Sequence, residues 1–489
     1  MTEQPKRPRG RRALTMVVLL VLTAVGAGAG AVYTGGVTFS WAGAGQGPAT
    51  PATSTPVGRP TPSPTPTRPP AGPVLAPLTG RSEVPTRAGL ERALAAAIGP
   101  VNLGQHASVA VRDLGTGRLL YGKDPAGAYI PASTTKILTS AAVLAVLGPE
   151  HRFRTTVVAG AVPGEIVLVG GGDPLLATAT ARARATDATR GTGVPVTIED
   201  LAVRTARQLR ASGTTQVTVR VDDTLFREPV SPTWESQYVP TGVVGPVSAL
   251  WVDEAKVSWP SHRPRAADPA MTAAQAYVQM LRKAGITVRG ELARSKAPAK
   301  ARELAAVSSP PLADIVEHVL LVSDNDGAEV LARHVAVAER RPATFAGAGE
   351  AIKAVLSRLG VEGLSGIKLY DGSGLSRDNR ISADVLTQTL AAAARPEFPD
   401  LRAVVTGLPV AGYTGSLDDR FAGDASAPGV GIVRAKTGTL SAVSSLAGVV
   451  TTKDGALLAF AVMSDQARQN DPRPSIDQAA SALASCGCR

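Results

Sequence analysis

Cysteine is almost missing from this chain: there are two among 489 residues, Cys486 and Cys488, both in the last four positions. Two thiols at one end cannot staple a chain of this length, so its fold must rest on hydrophobic cores and not on a disulfide framework. The Cys-Gly-Cys pair either bridges itself or stays as tail thiols. Histidine is also sparse, at five residues (His106, His151, His262, His318 and His334). They are scattered, no two have metal-ligand spacing, and no G-x-S-x-G elbow occurs, which disfavours a His-based hydrolytic triad. Aromatic residues make up only 4%, yet 44% of the chain is apolar, and that content excludes wholesale disorder. The length calls for two or more domains.

Excess acidity is lacking too. The formal charge is +11, which invites a nucleic-acid reading until its location is examined. Residues 1–80 contribute +6, residues 151–304 another +6, and the remainder −1. Arginine outnumbers lysine 40 to 11, a bias expected of GC-rich coding rather than of selection for phosphate contacts. Nucleic acid is therefore not an expected partner. The basic segment 151–304 is instead expected to face anionic wall polymer or a membrane surface.

Long hydrophobic runs are confined to one place. Basic residues Lys6 to Arg12 precede an uncharged stretch at 13–33. Twenty-one residues as a helix span roughly 30 Å, enough to cross a bilayer. The arginines would stay cytoplasmic and the rest of the chain outside, as a single-pass cell-membrane protein. The Gly/Ala-rich end of that run also offers A-x-A-like cleavage sites, so a secreted product of a cleaved signal is the competing expectation. From 41 to 82 the chain is rich in Pro, Thr, Ser, Gly and Ala, an extended stalk able to reach up to about 100 Å. Folded sequence follows. A short helix is expected from residue 87, two strands around 108–113 and 118–121, and a helix buried all round at 137–147. Val/Thr-rich strands with Gly/Pro/Asp turns fill 151–304, and helical patterns return at 312–322 and 328–337. Three apolar runs at 431–440, 446–452 and 456–464 read as an antiparallel meander.

Three short motifs carry the chemistry. Ser133-Thr-Thr-Lys136 opens the buried helix, where positions i and i+3 share a face, so the Ser133 hydroxyl and the Lys136 amine can meet. A lysine depressed by burial or a neighbouring cation can deprotonate such a serine. S-x-x-K alone is weak, and a decoy exists at Ser365-Gly-Ile-Lys368, which precedes no apolar helix. Ser323-Asp324-Asn325 is the chain's only S-x-N, although just four Asn are present, and Lys436-Thr437-Gly438 is its only K-T-G. The three motifs in this order are the triple of penicillin-binding proteins and class A β-lactamases.

On these motifs the chain resembles the D-alanyl-D-alanine carboxypeptidase/endopeptidase class of low-molecular-mass penicillin-binding proteins (class C, actinobacterial type). The stretches at 169–175, 221–226, 246–251, 323–329 and 371–376 add to the resemblance, which covers about residues 85–485. It implies an α/β (α+β) fold: a penicillin-binding/serine β-lactamase-like catalytic domain, an antiparallel sheet flanked by helices, with a β-rich inserted domain. The 186 residues between Lys136 and Ser323 locate the insert. The implied layout is a basic tail and membrane anchor or signal at 1–40, a stalk at 41–82, catalytic parts at 83–150 and 305–489, and the insert at 151–304.

The resemblance further implies peptidoglycan stem peptides ending in D-Ala-D-Ala as substrate, β-lactams as covalent inhibitors, and no metal or cofactor. Ser133 would be the nucleophile, Lys136 its base and Ser323 a proton relay to the departing D-Ala. Asn325 would orient Lys136 and the substrate amide. Lys436, Thr437, Gly438 and Thr439 would bind the terminal carboxylate, and the backbone N–H groups of Ser133 and Thr439 would form the oxyanion hole. Lys436 would also help keep Lys136 neutral. Two alternatives share the fold. A β-lactamase would need a deacylating Glu, yet no E-x-x-L-N occurs. A non-catalytic wall-binding or penicillin-sensing protein would have no need of all five of Ser133, Lys136, Ser323, Asn325 and Lys436. The 371–376 stretch reads either as a turn capping the next helix or as part of the site lining.

Overall fold

The computed structural model describes residues 83–184, 194–258, 264–467 and 471–489. The expected span at 13–33 and the stalk at 41–82 lie outside the described residues. Among the described residues, no helix is long and apolar enough to cross a membrane.

In chain order the principal elements begin with α1 (Arg87–Leu94), β1 (Ala107–Asp113), β2 (Leu119–Lys123) and α2 (Thr135–Leu147). Next come β3 (Arg154–Ala159), β4 (Glu165–Val169), α3 (Ile198–Ala211), β5 (Gln216–Asp222), α4 (Pro269–Lys283), β6 (Thr287–Arg294) and β7 (Glu303–Ser308). The last third contains α5 (Leu312–Leu321), α6 (Asn325–Ala338), α7 (Phe345–Arg358) and α8 (Ala383–Ala394). It closes with β8 (Arg434–Leu440), β9 (Val443–Thr451), β10 (Leu457–Asp465) and α9 (Arg473–Ala484).

The first sheet runs β2-β1-β10-β9-β8 and is antiparallel throughout. Alternation along its strands feeds two cores, because successive side chains point to opposite faces. Ala110, Ala459, Ala461 and Met463 face Ile137 and Leu138 of α2 together with α5 to α8. Val109, Val111, Phe460 and Val462 face α1 and α9 through Leu90, Leu94, Ile476 and Leu483. Burial on both faces explains why the three terminal runs read as near-continuous apolar stretches. It also explains α2, whose residues Thr135 to Leu144 are all buried. The chain's tail closes on its start: Thr86 N donates to Cys488 O at 2.8 Å, and Cys486 and Cys488 are bonded to each other.

The second sheet runs β6-β5-β4-β3-β7, with β7-β3-β4 antiparallel and β4-β5-β6 parallel. Its strands fall between Arg154 and Ser308, so its last strand runs past residue 304. Besides strands, this segment contains two long helices that the Val/Thr pattern does not announce. Parallel strands cannot be joined by a hairpin, and α3 and α4 make the two crossovers. Both start on strong caps: Thr197 and Asp200 form a capping box on α3, and Asp268 caps α4 ahead of Pro269. They bury Leu201, Leu209, Tyr277 and Leu281 against Val157, Leu168, Val219 and Val221, a core separate from those of the first sheet. Between β5 and α4 the chain leaves this sheet. There Trp234, Tyr238, Val244 and Trp251 pack with Val330, Phe345 and Leu375 of the helical layer.

Candidate active site

Ser133 sits on a 3-10 turn, Ala132–Thr134, that runs directly into α2. Ala132 is left-handed at φ 48°, a conformation that costs energy in a non-glycine residue and is held by its surroundings. Those surroundings are visible: Thr134 Oγ1 donates to Pro131 O at 2.8 Å, Thr135 Oγ1 to Ala132 O at 2.9 Å, and Ser445 Oγ of β9 to Pro131 O at 2.6 Å. Gly438 of β8 lies so close that a Cβ there would meet Ser445 Oγ and the Pro131 carbonyl. The glycine of K-T-G is thus the residue that lets the strand press against the serine turn.

Lys136, one helical turn on, is fully buried, and its Nζ has three neighbours. These are Ser133 Oγ at 3.0 Å, Asn325 Oδ1 at 2.7 Å and Ser373 O at 2.8 Å. Two of the three are carbonyl oxygens and can only accept. A neutral amine gives its two N–H bonds to them and turns its lone pair toward the Ser133 hydroxyl, the one neighbour with a proton to offer. Burial lowers the Lys136 pKa to about 8, against the opposing pull of Asp324, Glu329, Asp371 and Asp326. Lys436, also fully buried, is held well below its ordinary value by burial first and by Lys136 second. Desolvation is the leading cause for both amines, and the mutual repulsion of two buried amines adds to it.

Ser323 and Asn325 arrive on the turn before α6. Ser323 is left-handed at φ 59°, and its hydroxyl makes no hydrogen bond among the described residues. Asn325 has its amide fixed at both ends, because Nδ2 donates to Val243 O at 3.0 Å while Oδ1 takes Lys136. Val243 belongs to the stretch between β5 and α4, so the inserted segment helps hold the base. On β8, Lys436 Nζ donates to Thr437 O at 2.9 Å, and Thr437 Oγ1 donates to Ser416 Oγ at 2.8 Å. Thr439, the next residue but one, is exposed at the end of the strand. The structure therefore joins Ser133, Lys136 and Asn325 by direct hydrogen bonds. It links Lys436 and Thr437 to each other, and leaves the Ser323 hydroxyl open.

Four contributors take no individual role from the sequence, although Glu329 and Ser373 fall within the 323–329 and 371–376 stretches: Ser373, Glu329, Val243 and Ser416. Ser373 and Val243 act through backbone carbonyls, which no side-chain pattern reveals. Of the two readings of the 371–376 stretch, the site lining holds, while the helix cap falls to a residue beyond it. Ser382 caps α8 just beyond it, and Ser373 O lines the site. Asp371 folds the loop on itself, accepting from Gly374 N at 2.9 Å, Ser376 N at 2.6 Å, Asn379 Nδ2 at 2.7 Å and Trp234 Nε1 at 2.9 Å. Gly374, at φ 89°, allows the loop to touch the Ala132 carbonyl, where a Cβ would not fit. Glu329, buried on α6, accepts from Gly372 N at 3.1 Å and Ser373 N at 2.8 Å. Both groups donate to the same oxygen, Oε1, which glutamine could reproduce, so the informative change is Glu329→Leu, which leaves both buried N–H groups without an acceptor. It should cost about 1–3 kcal/mol in denaturant unfolding and slow acylation by displacing the Ser373 carbonyl. Unchanged stability and rate would contradict this role.

Comparison with known proteins finds relatives that cover most of the chain. The profile described as the D-Ala-D-Ala carboxypeptidase 3 (S13) family matches residues 90–266 and 260–486. A carboxypeptidase of Mycobacterium tuberculosis is 37% identical over 431 residues, covering 86% of this chain and 89% of that protein. A D-alanyl-D-alanine carboxypeptidase of an Actinomadura species is 28% identical over 460 residues, covering 81% and 84%. The crystal structure of penicillin-binding protein 4 (DacB) from Haemophilus influenzae superposes with a TM-score of 0.64 at 22% identity, covering 79% of this chain and 97% of that one. The same protein complexed with a β-lactam superposes at 0.60.

Proposed function

The chain belongs to the D-Ala-D-Ala carboxypeptidase 3 (S13) family and is a serine-type carboxypeptidase, and from that premise we propose that Ser133 is its nucleophile and Lys136 its general base. The observation that carries this reading is the Lys136 amine, 3.0 Å from the Ser133 hydroxyl with carbonyl oxygens as its other two neighbours. Lys136 takes the Ser133 proton as Oγ attacks the carbonyl between the last two D-Ala residues of a peptidoglycan stem peptide. The backbone N–H groups of Ser133 and Thr439 hold the oxyanion that forms. The proton then passes from Lys136 through Ser323 to the departing D-Ala amine. Water, deprotonated in turn by Lys136, releases the shortened peptide and restores Ser133.

Lys436, Thr437 and Thr439, with Gly438 giving the close approach, receive the terminal carboxylate, and Ser416 holds the Thr437 hydroxyl in place. A carboxylate beside Lys436 favours its ammonium form. β-Lactams acylate the same serine. Residues 83–150 and 309–489 form the catalytic module. Residues 151–308 form a basic insert that presents Arg204, Arg207 and Arg210 on one exposed face of α3 to anionic wall polymer. Because its substrate lies outside the cytoplasm, we place the module there, with residues 13–33 as anchor or cleaved signal.

The test is release of D-Ala from a stem pentapeptide, which the protein should catalyse and the Ser133→Ala variant should not. Cleavage of a cross-linked dimer by the same residues would add D,D-endopeptidase activity. The pH profile supplies a second check. Only the neutral amine accepts the serine proton, so the acylation rate constant should rise about tenfold per pH unit below pH 8 and level off above it. At pH 6 it should stand at roughly a hundredth of its plateau, measured by stopped-flow with a fluorescent penicillin. A flat profile from pH 6 to 9 would rule out Lys136 as the base.

A further inference from the structure

At the Ser323-Asp324-Asn325 turn lies a knot of charge that the proposed reaction does not use. It brings together Glu254 from the stretch after β5, His318 from the last turn of α5, and Asp324 itself. Each offers one ligand atom, and these atoms all lie within 4.8 Å of one another. The neighbouring ion pairs account for the other charges. Arg265 Nη2 binds Asp326 Oδ2 at 2.7 Å, and Lys256 Nζ binds Glu254 Oε2 at 2.5 Å.

Asp324 is the carboxylate left over. It is 8% exposed and makes no ion pair among the described residues, and its Oδ2 is buried without a hydrogen-bond partner. It occupies the N-cap position of α6 with the Gly327 N–H beside it but outside capping geometry, so the usual reason for an aspartate there is at best half met. A buried carboxylate oxygen with no donor is costly unless something positive meets it.

We propose that Glu254, His318 and Asp324 bind one divalent cation of the zinc class. One imidazole nitrogen and two carboxylates form a donor set that suits zinc or its first-row neighbours better than magnesium or calcium, which take all-oxygen shells. Glu254 and His318 are half-buried, so the site opens to solvent on their side. Glu254 still has a second oxygen to offer while Lys256 engages the first. The cation would tie the insert to the turn carrying Ser323 and Asn325. Asp253, Glu254 and Ala255 are consecutive left-handed residues, at φ 53°, 54° and 60°, a backbone whose strain a bound ion would help hold. Glu254 lies far along the chain from the neighbouring His318 and Asp324, so no compact spacing motif marks the three.

The test uses the full chain, free of any affinity tag and stripped of metal, titrated with Zn2+ by equilibrium dialysis and with Co2+ by visible spectroscopy. One Zn2+ per chain, a rise in unfolding temperature, and Co2+ bands typical of low coordination number are expected. His318→Gln and Glu254→Gln should each weaken Zn2+ binding at least about tenfold and remove the Co2+ bands. His318→Gln should still be acylated by penicillin in metal-free buffer, which certifies its fold. No binding at millimolar Zn2+, or binding that both substitutions leave untouched, would overturn the proposal.

Discussion

Ser133→Ala should abolish covalent labelling by a fluorescent penicillin and lower D-Ala release by at least about 10⁴-fold, while leaving the fold intact. The effect is large because no other hydroxyl shares this position. Lys136 Nζ has one proton-bearing neighbour, and Ser373 and Asn325 offer it only oxygen acceptors. Ser133 is partly exposed on its turn, whereas Thr134 and Thr135 on either side of the helix start are buried and donate to Pro131 O and Ala132 O. Removing Oγ costs one hydrogen bond to a lysine that keeps two others, so unfolding temperature should move little. The measurements are gel fluorescence after penicillin treatment and a D-Ala assay, with circular dichroism as the control for folding. Labelling of the alanine variant equal to wild type would place the nucleophile elsewhere, with Ser323 the first to examine.

Lys136→Met should slow acylation by about 10²–10⁴-fold, the range expected for loss of a positioned base. Methionine fills nearly the same volume without the amine, so the comparison isolates the chemistry from the packing. Two carbonyls, Asn325 Oδ1 and Ser373 O, lose their donor, and Asn325 remains tied to Val243 O by its other end. The residual acylation should have lost the rise with pH that the lysine imposes below about 8. That loss distinguishes a base from a merely structural lysine, whose replacement would scale the whole profile down and keep its shape. Asn325→Ala should fall in the same direction with a smaller effect, since Lys136 would keep Ser373 O as an orienting acceptor.

Much of the catalytic layer is legible in the sequence because its signals are carried by side chains. The meander at the end of the chain, α2 with Ser133 and Lys136 one turn apart, and the turn holding Ser323 and Asn325 all stand where the apolar runs and the three motifs put them. What could not be read is carried by backbone or by long-range packing. Ser373 and Val243 serve through carbonyl groups, and any residue type supplies a carbonyl. Glu329 is one acid among 40 until the fold sets it under the Gly372 and Ser373 amides. The helices α3 and α4 were hidden for another reason. Val/Thr-rich strands dominate their surroundings, and only the parallel pairing of β4, β5 and β6 demands crossovers. The ranking of the causes behind the Lys136 shift needs the fold: charge proximity can be guessed from K-T-G, but complete desolvation cannot.

The most direct test of the central claim is peptide mapping by mass spectrometry after trapping the protein with a slowly deacylating β-lactam. The expected result is one adduct per chain, of the mass of the intact drug, on the peptide containing Ser133. An adduct on Ser323 or Ser365 instead, or no adduct at saturating drug with the fold intact, would contradict the assignment of Ser133 as the nucleophile.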